Sequence, residues 1–158
     1  MPYNQPQKYG ASQPRQSSSG YRPSGSDWRW SEEKAQEEIK KSFGENCFDE
    51  ILSQEKDDYN VYIGKVKAYV KANARGITTS QIRNIFSKVK NIVDYTEIYT
   101  LRPKLAYVSG RAEKDEMRTL LFLLDALITK VTDKKKLDQF KAFFESVIAY
   151  HKYFGGKE

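Results

Sequence analysis

Few residues in this sequence have the chemistry of a catalytic or metal-binding group. Zinc sites need several Cys or His ligands at short spacing, and the chain contains one Cys, Cys47, and one His, His151. As a nucleophile and its base, these two would have to meet from distant parts of the chain, and both fall on stripes that are otherwise apolar. We therefore interpret both as packing residues and expect no metal site.

The carboxylates and glycines offer no better candidates. Asp57-Asp58 and Asp115-Glu116 are adjacent pairs, and adjacent residues on a helix point in different directions. Gly155-Gly156 stands alone, without the spacing of a phosphate-binding loop. The sequence therefore predicts a protein without catalytic activity and without a cofactor.

The sequence concentrates positive charge in its middle third. The net charge is +6, but residues 65–118 carry twelve Lys and Arg against five Asp and Glu, whereas residues 27–64 carry five against eleven. Solvated surfaces usually intersperse the two signs. The basic middle and the acidic first third therefore predict two faces with different partners.

Several cations of the basic middle come from predicted neighbouring helices, and we expect them to combine into one nucleic-acid-binding surface. The predicted binding residues are Lys67, Lys71, Arg75, Arg83, Lys90, Arg102, Lys104 and Arg111. Lys and Arg neutralise phosphates and release counterions. Because no recognition helix, aromatic sheet motif or arginine- and glycine-rich loop is present, we expect backbone contacts without base specificity. A basic helical module that docks an acidic protein partner is the alternative.

The helix that carries Arg83 has the clearest start in the chain. Thr78 stands at the N-cap position with Gln81 three residues on, as in a capping box, and Ile77 and Ile82 are placed as a hydrophobic staple. The apolar stripe behind this start comprises Ile82, Ile85, Phe86, Val89 and Val93. The pattern predicts a helix with one buried side and one cationic side.

The remaining segments also show helical periodicity. Helices are predicted over residues 59–74 and, as the central buried element, over 113–131. Between them, Pro103 either opens a new helix or kinks a continuous one, and Gly110 is a plausible stop. A last helix starts at Thr132-Asp133. No stretch alternates as strands do, so we predict an all-α fold, a compact bundle of about five helices.

Two domains are expected. Residues 1–26 form a basic tail rich in Ser, Gly and Pro that lacks Val, Ile, Leu and Phe, so we predict that it is disordered. Residues 27–158 form a helical nucleic-acid-binding domain, an RNA-binding domain by the resemblance given next. In it, Ser31 caps the first helix, and Trp28 and Trp30 pack that helix against the domain. With one Cys, no secretory signal and no long apolar run, we expect a cytoplasmic protein without membrane contact.

Two stretches resemble the small helical subunit of the type III-A CRISPR effector, the Csm complex. They are ITTSQIR at residues 77–83 and LRPKLAYVSGR at residues 101–111, and the run from Phe140 to Gly156 is similar to the C-terminal helix of that family. The resemblance covers roughly residues 30–156 and excludes the tail.

The resemblance implies a non-catalytic subunit of a ribonucleoprotein for antiviral defence. Its copies would stack along a filament, line the guide RNA and target RNA, and contact other copies and the backbone and large subunits. It assigns phosphate contacts to the cations of the matched stretches, Arg83, Arg102, Lys104 and Arg111. The other four predicted binding residues rest on helical geometry. We also expect the acidic residues 27–64 to contact a neighbouring subunit or copy.

Overall fold

The structure is a computed structural model that describes residues 29–156. Within this range the chain forms seven α-helices and two 3-10 helices, with no β-strand. The α-helices are α1 (Glu32–Phe43), α2 (Cys47–Leu52), α3 (Tyr59–Asn73), α4 (Thr79–Val89), α5 (Arg102–Arg111), α6 (Asp115–Lys130) and α7 (Lys134–Tyr153). The predicted all-α fold is confirmed. The predicted tail, residues 1–26, and Trp28 lie outside the described residues.

The first part of the chain contains one helix more than its pattern showed. α1 starts as predicted, since the Ser31 hydroxyl accepts a hydrogen bond from the Lys34 backbone N–H at 3.3 Å. Gly44 caps its C-terminal end, with a φ of +93° that glycine adopts more readily than any other residue. α2 follows after a short turn, and its six residues are too few to show a helical period.

Trp30 fastens α1 to the centre of the domain. Its ring N–H donates to the Thr119 hydroxyl at 3.1 Å, and its ring meets Phe122 edge-on at a centroid distance of 6.5 Å. Both partners belong to α6, so the predicted packing role of Trp30 is confirmed.

α4 starts at Thr79 as expected, but the predicted capping box is not formed. The Thr78 side chain makes no hydrogen bond to the helix. Ile77 and Ile82, the two halves of the staple, are both buried. Val93 is 75% exposed and does not continue the buried stripe, because α4 already ends at Val89.

The alternative left open at Pro103 is resolved in favour of a new helix. A 3-10 helix, Tyr95–Leu101, leads directly into α5, and Pro103 lies in the first turn of α5, where its missing N–H costs nothing. The predicted stop at Gly110 is wrong, since α5 continues to Arg111.

α6 is the central helix, as predicted. It contacts α1, α2, α5 and α7. Leu120, Leu123, Leu124 and Leu127 have no exposed surface. Within residues 29–156, no helix combines the length and the apolar character that crossing a membrane requires.

α7 closes the domain and ends where the glycines were expected to end it. The Gly155 N–H donates to the Lys152 carbonyl and the Gly156 N–H to the His151 carbonyl, which together form a Schellman motif. Gly155 has a φ of +72°, as the motif requires. α7 packs against both α3 and α4.

His151 joins the end of α7 to the turn between α3 and α4. Its Nε2 lies 3.1 Å from the Ala74 carbonyl oxygen and 2.9 Å from that of Ile77, and its Nδ1 lies 3.4 Å from the Thr79 hydroxyl. Carbonyls only accept, so the proton belongs on Nε2 and Nδ1 accepts from Thr79. Cys47 is also fully buried, and burial raises the pKa of its thiol. Both are packing residues, as predicted.

Candidate nucleic-acid interface

Side chains of α4 and α5 approach each other at two places, although α4 packs mainly on α7 and α5 mainly on α6. At the first, Lys88 near the end of α4 is close enough to Lys104 in the first turn of α5 to lower the pKa of Lys104. At the second, Gln81 from the first turn of α4 and Arg111 from the last turn of α5 line the same cavity of 180 Å³. The late part of one helix therefore faces the early part of the other.

The contact between Lys88 and Lys104 places two like charges together. The Lys88 amino group, as a side-chain hydrogen-bond partner and as a neighbouring charge, lowers the pKa of Lys104 below its usual value. An anion between the two groups would relieve this repulsion. The pair is therefore suited to a phosphate, which accepts hydrogen bonds from several cations at once.

The opposite end of the same seam is also cationic. Arg111 and Lys114 line the 180 Å³ cavity together with Thr78 from the start of α4, and Glu113 contributes one negative charge. The backbone N–H groups of the first turn of α4 donate no hydrogen bond to the Thr78 side chain. Such groups form the positive end of a helix. We call Lys88, Lys104, Arg111 and Lys114 the α4–α5 cationic face.

Arg102 lies away from this face, contrary to the prediction of one shared surface. Its Nε and Nη2 atoms donate to the two carboxylate oxygens of Asp125 at 2.8 and 3.2 Å, and this carboxylate raises the pKa of the guanidinium. Residues two apart on an α-helix are about 200° apart around its axis. Arg102 therefore points away from Lys104, into an apolar groove that Trp30 and Phe122 also line.

Arg83 and Lys90 form a separate group on α4. They are seven residues apart and so share one flank, whereas Lys88 is two residues from Lys90 and lies on the other side. On the Lys90 side the neighbour is α7, whose Lys141 donates to the Lys90 carbonyl at 3.4 Å. Both predicted residues are exposed, but on the flank of α4 that does not face α5.

The α3 cations form a third group, around the end of α7. Lys67, Lys71 and Arg75 are all exposed. The Lys67 amino group lies 5.5 Å from the centre of the Tyr153 ring, and Arg75 lines a 410 Å³ depression beside Phe154. The eight predicted cations therefore do not make one surface. The structure brings Lys104 and Arg111 to the α4–α5 cationic face.

Sequence reasoning missed two members of this face. Lys114 lies in the extended turn between α5 and α6, where helical spacing does not apply, and it shares its cavity with Arg111. No sequence pattern around Lys88 indicated a binding role, because its proximity to Lys104 depends on how the helices pack. Among the described residues, no group of three or more His, Cys, Asp or Glu side chains could hold a metal ion.

Fold and surface together describe a small all-helical protein with a cationic face formed by side chains of α4, α5 and the turn after α5. The family model described as Csm2 Type III-A matches residues 54–157 of the chain. A protein described as "CRISPR system Cms protein Csm2" from Streptococcus thermophilus is 31% identical, in an alignment that covers 52% of this chain and 76% of that protein. The comparison with solved structures gave no match. The chain belongs to the Csm2 type III-A family, the small subunit of the Csm complex.

Proposed function

We propose that the chain binds the sugar–phosphate backbone of RNA at the α4–α5 cationic face, as a non-catalytic subunit of the type III-A Csm complex. The observation that carries the proposal is that Arg111 and Lys114 line one cavity with Thr78 from the start of α4, and it is supported by the proximity of Lys88, which lowers the pKa of Lys104. Two adjacent ammonium groups repel each other unless an anion lies between them. RNA supplies phosphates in a regular row, which suits a face that extends along two helices.

A backbone-reading surface fits the task of an RNA-guided complex. Such a complex must accept any target sequence, so sequence recognition rests on base pairing between guide RNA and target RNA. The protein then needs contacts to phosphates and shape only. The proposed face consists of Lys and Arg side chains, which meet this requirement.

The acidic first third of the domain would serve the protein contacts. We infer that it packs against neighbouring copies and against the backbone and large subunits along the filament. Its anions already form some internal pairs, such as Glu50 with Lys65 at 3.2 Å and Glu45 with Lys40 at 2.9 Å. Glu33, Glu37 and others on α1 are exposed to solvent. RNA is also negatively charged, so this acidic surface would repel it.

The test is the affinity for a generic single-stranded RNA at several salt concentrations. The variant Lys104→Gln with Arg111→Gln removes two charges from the face. The matched control Lys41→Gln with Lys135→Gln removes two exposed charges from α1 and α7. We expect weaker binding by the first variant and a salt slope that is smaller by about 1.4, which is about 0.7 for each lost phosphate contact. The control should keep a slope close to that of the wild type.

Equal losses in both double variants would refute the proposed face, since affinity would then follow net charge alone. Wild-type protein that fails to bind RNA at low salt but captures an acidic protein would instead favour a protein-docking module. Far-UV circular dichroism of each variant checks that the helices are intact.

A further inference from the structure

Tyr107 is an exposed aromatic residue in the middle of the cationic row on α5. Its side chain is 64% exposed. Lys104 precedes it by three residues and Arg111 follows it by four, so all three share one flank of the helix. Because the Tyr107 ring is exposed, packing within the domain does not account for an aromatic residue at this position.

Arg111 fixes the orientation of the ring. Its Nη1 donates to the Tyr107 hydroxyl at 2.8 Å, and the guanidinium carbon lies 5.6 Å from the ring centre. The hydroxyl therefore already has a partner, and the ring is held in place before any ligand arrives. A ring that is pre-oriented loses less conformational entropy when a ligand stacks on it.

Tyr153 differs in this respect although it is also an exposed tyrosine next to a cation. It is 72% exposed, with the Lys67 amino group 5.5 Å from its ring centre. Its ring also meets Phe154 at a centroid distance of 5.1 Å, so an aromatic neighbour already contacts it. Tyr153 lies at the end of α7, outside the α4–α5 cationic face, and so provides a matched control.

We propose that Tyr107 and Arg111 form a stacking site for one unpaired nucleobase, while Lys104 and Lys88 hold a phosphate next to it. Aromatic and guanidinium planes stack on any base, so the site is tolerant of sequence. In a duplex both faces of each base are covered by its neighbours, so only an unstacked nucleotide can use the ring. This inference rests on the proposed function, and it adds that the face prefers unpaired RNA.

The experiment compares single-stranded RNA with the same strand in a blunt-ended duplex. The strand carries one 2-aminopurine, whose fluorescence is quenched when it stacks on an aromatic ring. The variants are Tyr107→Ala, Tyr107→Phe and the control Tyr153→Ala. We expect Tyr107→Ala to weaken single-strand binding by about 5- to 100-fold, the range of one lost base–aromatic stack. Duplex affinity should change by less than about twofold, and the quenching should disappear.

Tyr107→Phe keeps the ring and should retain single-strand affinity within about threefold. Tyr153→Ala should leave both affinities unchanged. The inference is overturned if Tyr107→Ala has no effect, if it weakens single strand and duplex alike, or if the phenylalanine variant loses as much as the alanine variant. If Lys104→Gln with Arg111→Gln weakens binding but Tyr107→Ala does not, the stacking site alone fails and the backbone-binding proposal stands.

Discussion

Replacement of His151 tests how the end of α7 is locked onto the rest of the domain. The change His151→Leu keeps much of the side-chain volume but removes both ring nitrogens. The Ile77 carbonyl then loses its buried partner at 2.9 Å, and the Thr79 hydroxyl loses its acceptor at 3.4 Å. The Ala74 carbonyl loses less, because it also accepts from the Ile77 N–H.

A buried polar group left without a partner costs about 1–3 kcal/mol. One carbonyl and one hydroxyl therefore predict a loss of about 2–6 kcal/mol in the free energy of unfolding. For a domain of this size, that lowers the melting temperature by about 5–25 °C. The measurement is thermal and urea unfolding followed by circular dichroism at neutral pH. His151→Gln places an N–H donor at a similar distance from the backbone and should recover part of the loss.

The control is Lys152→Leu, which changes the exposed neighbour of His151 on the same turn. Exposed substitutions away from special features change stability by about 0.5 kcal/mol or less. A His151→Leu protein within about 1 kcal/mol of the wild type would refute the assignment of these hydrogen bonds as the lock between α7 and the α3–α4 turn.

Two further predictions concern the lysine pair and the glycines. Because Lys88 lowers the pKa of Lys104, Lys104 loses its proton at a lower pH than an ordinary lysine, and RNA affinity should fall as the pH rises through that range. Lys88→Gln should move this fall to higher pH in anisotropy titrations, and an unmoved midpoint would contradict the pairing. Gly155→Ala should cost about 1 kcal/mol in urea unfolding, because φ is +72°. Gly110→Ala, in a helix and with open space around it, should instead stabilise by about 0.4–1 kcal/mol, and the same sign in both would contradict the backbone assignment.

Much of the fold could be predicted from the sequence because the longer helices each bury a stripe of their own residues, whereas the six-residue α2 could not. The central position of α6 follows from a segment that is apolar around most of its circumference. The hydrogen bonds at the helix ends were less predictable. Ser31 caps α1 with its side chain, but Thr78 stands at the equivalent position of α4 and does not. The sequence shows that a capping residue is present, but the backbone conformation before the helix decides whether its side chain forms the capping hydrogen bond.

The candidate site was predicted less well, for a reason that concerns packing. Helical spacing shows which cations share a flank, but only the packing of helices shows which flanks meet. Arg102 and Lys104 are two residues apart and were grouped together, yet one pairs with Asp125 and the other meets Lys88. A periodicity argument applied to α5 alone separates them. Only the structure shows which residues each flank of α5 contacts.

One helix therefore sets both the core contact and the cationic face. Pro103 lies in the first turn of α5, and Leu105 is its buried residue, on a helix that packs mainly on α6. With the buried side fixed, Lys104 and Arg111 lie on the flank from which they approach Lys88 and the cavity at the start of α4. A shift of one residue in the start of α5 would turn the row by about 100° and move it away from Lys88. The register of the core thus determines whether the cations of two helices meet at all.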